Sequence, residues 1–228
     1  MEIVPAHNLP SLLRLHSVDP EAQSLAVGER AERMTIQESQ PPVWVKGPHR
    51  KAVHTGALTQ GPFPVEDRPA LSNFVARVFT ELEVGAVLAT VPPGAFWLNN
   101  KGLSLYLRNV AGARTVSTFL RSRGLTDRFQ GGFLVRSSDF TRVVPVLAAG
   151  AFCGASNVLF TSLSLEITLT VLACQHFDLH VAGYQTALLD RIADLAQTAH
   201  LSVLRLAVPD SEGELAFAPI WSEDAGEQ

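Results

Sequence analysis

The chain has 228 residues, 46% apolar and 18% charged, with a formal net charge of −4; this supplies a real core for one domain, or one domain plus an appendage. So few charges imply that much of the surface is covered by a second layer, by the N-terminal segment or by another subunit, so self-association is expected. The longest apolar stretches, Val143 to Phe152 and Leu165 to Ala173, are too short or too interrupted to cross a membrane, and Met1 to Pro5 lacks the basic start and apolar stretch of a secretory signal.

Nine of the fourteen prolines fall in the first 69 residues. Because proline donates nothing to a ladder, residues 1–69 read as a Pro-rich arm or loosely packed subdomain, with residues 35–69 short of regular structure. Within it, Asp19-Pro20-Glu21 has the order of an N-cap, a first-turn proline and an acidic first turn, which predicts a short helix to about Met34. Val43 to Lys46 reads as a short edge strand.

The core domain is expected over residues 70–210, followed by an acidic tail over 211–228. Leu71, Phe74, Val75, Val78 and Phe79 recur at helical spacing, predicting a helix over 70–83. A buried strand is expected from Val84 to Val91, and a hairpin through Phe96 to Leu107 around Asn99-Asn100-Lys101-Gly102. A helix over 111–123 follows, with Val116, Phe119 and Leu120 inward and Gly124 at its end. The strand Gly132 to Arg136 leads through Ser137-Ser138-Asp139 to an apolar helix, which Pro145 must kink or delay. From Leu165 to Val181 the apolar residues fall on odd positions, as in one very long strand or two joined near Ala173. A helix over 184–199 and a strand over 201–208 complete the pattern. The fold class predicted is α+β, a mostly antiparallel sheet with helices covering one face. The core is assigned to Phe74, Val78, Val87, Leu105, Phe119, Leu134, Leu169, Leu188 and Ile192.

Charge is unevenly placed. From Lys101 to Arg142 eight basic residues outweigh two acids for a local +6, whereas residues 161–228 carry −8. Lys101, Arg108, Arg114, Arg121, Arg123, Arg128 and Arg136 are therefore the expected recognition surface for an anionic partner, nucleic acid or an acidic protein. Trp97 and Tyr106 are placed to stack on unpaired bases. A competing reading puts both aromatics in the core and docks the arginines on the chain's own acidic C-terminal third.

Two cysteines and no disulfide framework fit a reducing cytoplasm. Cys153, in a Gly-flanked turn without a neighbouring activator, reads as a packed thiol. On a strand, Cys174-x-His176-x-Asp178-x-His180 would set four metal-competent side chains in a row about 6.5–7 Å apart, facing solvent or another subunit. Nothing matches G-x-G-x-x-G, G-x-S-x-G, H-E-x-x-H or paired C-x-x-C. The chain is thus read as a non-catalytic binding or regulatory protein that self-associates and needs no cofactor. The alternative is a metal-dependent hydrolase using His176, Asp178 and His180 with Cys174.

Overall fold

A computed structural model describes residues 1–20, 24–25, 32–38, 44–45, 63–64, 69–97, 111–126, 128–152, 156–164, 166–174 and 178–206. Its centre is an eight-stranded sheet of β1 (Glu2–Val4), β4 (Glu32–Glu38), β7 (Ala86–Thr90), β8 (Gly132–Arg136), β9 (Val158–Ser162), β10 (Leu169–Ala173), β11 (Asp178–Gly183) and β12 (Leu201–Leu206). The order across the sheet is β1-β8-β7-β9-β10-β11-β4-β12. Every pairing in it is antiparallel. Together with the helices this is the α+β fold expected, a mostly antiparallel sheet with helices packed on it.

Period-two alternation gives the sheet two apolar faces. Val87, Ala89, Val158, Phe160, Val171, Ala173, Leu179 and Val181 belong to the main core. Leu88, Leu159, Leu172, Cys174 and Ala182, one position out of phase, form a second cluster with Leu9 and Leu13 of α1 (Leu9–Leu15) and with Val18. The main core is closed by α2 (Pro69–Glu81), α3 (Ala111–Ser122), α4 (Phe140–Phe152) and α5 (Thr186–Thr198). Phe79 joins the layers: its ring centroid lies 6.1 Å from that of Phe140 on α4 and 6.5 Å from that of Phe160 on β9. Each such fully buried side chain contributes about 1.5–3 kcal/mol through the water it sheds. Among the described residues no helix is long and apolar enough to cross a membrane.

The expected core holds in most places. Phe74, Val78, Val87, Leu169, Leu188 and Ile192 are buried, whereas Phe119 and Leu134 are half-buried. Leu105 and the hairpin expected through Phe96 to Leu107 lie, beyond Trp97, outside the described residues. Pro145 sits inside α4, whose start at Phe140 it does not delay. The alternation from Leu165 to Val181 belongs to two strands, β10 and β11, which pair as an antiparallel hairpin.

The helix expected from Asp19 to about Met34 is not formed. Val18–Asp19 pairs with Ser24–Leu25 as β2 and β3, and Met34 lies within β4. The N-cap signal at Asp19 is local, and tertiary pairing overrides it. Met34 and Ile36, two apart, are both sealed in the main core. β4 is hydrogen-bonded on both sides, to β11 and to β12. No proline falls between Pro20 and Pro41, so this part of the Pro-rich segment has every ladder donor. The strand expected over Val43 to Lys46 is found at Trp44–Val45 (β5), paired with Phe63–Pro64 (β6) in a ladder of its own. The rest of 39–68 lies outside the described residues.

Candidate functional site

The arginine surface is built on α3. Val116, Ser117 and Leu120 are buried, while Arg114 and Arg121 are exposed. Seven residues apart, the two arginines fall within about 20° of each other around the helix. Gly124, at φ +69°, ends the helix in a position that side chains with a Cβ resist. Its N–H donates to the Arg121 carbonyl and that of Leu125 to the Leu120 carbonyl, the paired bonds of a Schellman motif. The loop that follows carries Arg123 and Arg128, both exposed. Arg123 lies over the Phe119 ring, 5.7 Å from its centroid, and that ring packs edge-on against Phe133 at 5.6 Å.

Arg136 is exposed at the opposite end of β8 from this loop. Lys101, Arg108 and Tyr106 lie outside the described residues. Among the described residues, Arg114, Arg123, Arg128 and Arg136 pair with no carboxylate. Asp190, a candidate partner for them, pairs with Arg205.

Trp97 does not take the base-stacking role. It is 1% exposed, its indole N–H donates to the Gly131 carbonyl at 2.7 Å, and its ring meets Phe133 edge-on at 4.9 Å. A buried indole hydrogen-bonded inside the protein has no face to offer a base.

The second candidate lies at the end of the β10–β11 hairpin where the chain passes from one strand to the other. Cys174, Asp178 and His180 do not stand in a row along one strand, because the chain reverses between Cys174 and Asp178. The Cys174 N–H donates to the Asp178 carbonyl at 3.0 Å, making these two residues cross-strand neighbours. Phase then puts Leu172, Cys174, Asp178 and His180 on the face of the second apolar cluster. The thiol, one carboxylate oxygen and one ring nitrogen all lie within 4.8 Å of one another. His180 Nε2 is 3.5 Å from Asp178 Oδ2, and His180 Nδ1 is hydrogen-bonded with Thr35 Oγ1 at 3.1 Å. Both ionisable side chains are half-buried: His180 is 18% and Asp178 23% exposed. His176 and Cys153 lie outside the described residues.

Burial pushes the Cys174 thiol well above its ordinary range, and the Asp178 carboxylate adds to this by its charge and by accepting the thiol's hydrogen bond. Such a thiol stays protonated at neutral pH, so this is not the environment of a cysteine nucleophile. The trio has instead the donor types of a first-row transition-metal site. Thr35, which holds His180, carried no local signal. It stands opposite His180 on β4, 145 positions away in sequence.

Comparison with family models, with curated proteins and with solved structures finds no match to this chain.

Proposed function

We propose that this is a non-catalytic binding protein whose arginine face, on α3 and the loop after it, docks an anionic partner. The observation that carries this reading is the exposure of Arg114, Arg121, Arg123 and Arg128 within one short stretch. Asp127 is the only acid in that stretch. Exposed guanidinium groups in such density repel one another, and phosphates or carboxylates of a partner offset that repulsion with planar, bidentate contacts. Self-association belongs to the same reading. Large apolar side chains are exposed at both edges of the sheet, Ile3 at 42% on β1 and Leu204 at 61% on β12. A sedimentation mass above the 24.6 kDa of one chain is the expected readout.

Filter binding to mixed single-stranded and double-stranded DNA pools tests the partner. Four phosphate contacts give a salt slope of about −3.6, so affinity falls on the order of a hundredfold between 50 and 200 mM salt. Reversing two charges, R121E with R128E, makes the slope shallower by about 2 and lowers affinity for all sequences alike, since phosphate contacts position without reading bases. No retention of either DNA form at low salt removes nucleic acid and leaves an acidic protein surface as the partner. Undiminished binding by the double variant refutes the arginine face itself.

A further inference from the structure

We infer that Cys174, Asp178 and His180 form a site for a divalent transition metal of the zinc class, independent of the arginine face. Three donors of different chemistry, sulfur, oxygen and nitrogen, converge within 4.8 Å. Asp178 Oδ2 and His180 Nε2 already stand 3.5 Å apart. That is the separation two ligands take around a tetrahedral ion bound at about 2.0–2.2 Å.

Two further observations point to a ligand. Asp178 Oδ1 is buried and, among the described residues, has no hydrogen-bond partner. A buried carboxylate oxygen is costly to leave unmatched, and a cation removes that cost. His180 is also held as a ligand is. With Nε2 toward the ion, Nδ1 carries the proton and donates it to Thr35 Oγ1, the outer contact that fixes tautomer and ring orientation in metal sites. Binding releases the Cys174 thiol proton to solvent, so the ion is met by thiolate, carboxylate and neutral imidazole. Leu172, Leu159 and Leu13 belong to the same buried apolar cluster as Cys174. The fourth tetrahedral position falls to water or a small ligand, as in sites with three protein ligands.

The test uses the full chain without a histidine tag, stripped with chelator and titrated with Co2+ alone. One equivalent should bind, with the charge-transfer absorption of a cobalt–thiolate bond, and Zn2+ should displace it, because a thiolate ligand and tetrahedral geometry favour zinc. C174S should lose that absorption. D178N and H180Q should each raise Kd at least about tenfold, and T35V, which removes only the outer contact, about 10–100-fold. Cys174 is fully buried, so circular dichroism of C174S is checked, and the near-isosteric D178N carries the test if C174S unfolds. Cobalt bound without a thiolate band, or a Kd unchanged in both D178N and H180Q, overturns the assignment. Neither result bears on DNA retention, so this site and the arginine face fail separately.

Discussion

At Gly131 the aromatic cluster and β1 both crowd the start of β8, and replacing it with alanine should show how tightly they are joined. A Cβ there would meet the Val4 carbonyl oxygen at 2.3 Å and two Phe129 ring atoms at 2.5 and 2.6 Å, against 3.4–4 Å for ordinary contact. The methyl group therefore fits only if β1 and the Phe129 ring both withdraw by about an ångström. Neither can do so freely. Val4 is paired with Gly132 in the ladder, and Phe129 packs on Phe133 at 5.4 Å, which in turn holds Trp97. The Gly131 carbonyl is itself the acceptor of the indole N–H. Overpacking of this kind costs about 1–3 kcal/mol, and with backbone on one side we expect the upper half, about 2–3 kcal/mol. For a chain of this size each kcal/mol moves Tm by about 2–4 °C, so G131A should melt about 4–12 °C lower in a reversible thermal scan. Gly85 is the internal control: a Cβ there meets nothing within 4 Å. G85A should be neutral, or raise stability by about 0.4–1 kcal/mol through the unfolded chain. If G131A melts within about 0.5 kcal/mol of the parent, the close approach of β1 to β8 is wrong.

Two smaller perturbations follow from the backbone and from one carboxylate. Glu83, two residues past the end of α2, sits at φ +54°, with the Val84 N–H bonded to the Phe79 carbonyl, the place a glycine usually takes. E83G should stabilise by about 0.5–1 kcal/mol in urea titration, because the strain of a left-handed residue exceeds the chain entropy glycine adds; destabilisation would show that the Glu83 side chain matters more than its backbone. The Asp139 carboxyl is held below the usual carboxylate range, chiefly by the Met1 α-amino group that donates to it at 2.9 Å and then by Arg142. A lowered folded value means a contribution present above about pH 4 and lost as pH falls through that lowered value, so D139N should flatten the acid limb of the stability profile and leave neutral pH less favourable than in the parent.

Elements with a strong local period were readable from sequence. α2, β7, β8, α5 and β12 are found close to where spacing put them, since each carries its own apolar phase. β9 was not foreseen. All five of its residues are buried, so it has no polar phase to mark it as a strand. β4 was misread because its partners are remote, while the misleading cap at Asp19 is adjacent. The candidate metal ligands were visible as a list of residue types, but their geometry was not. A row and a cluster differ only in that β10 and β11 pair antiparallel, which alternation alone does not reveal. Exposure of Arg114 and Arg121 followed from helical phase, whereas the sealing of Trp97 depended on Gly131 and Phe133 arriving from another element.

The place of β4 between β11 and β12 also sets a schedule. Thr35 and its partner His180 are 145 positions apart, and β12 lies later still. Neither ladder partner of β4 exists when that strand leaves the ribosome. At about 5–20 residues per second, the wait for both lasts on the order of ten seconds or more. Throughout it Met34 and Ile36 have no sheet to enter, and both edges of the strand are open to other chains. Contacts of such long range make for slow folding. The completed sheet is thereby fastened at both ends of the chain: removing β4 would separate β12 from β11, so loss of the N-terminal forty residues should dissolve the C-terminal part of the sheet and not trim one edge.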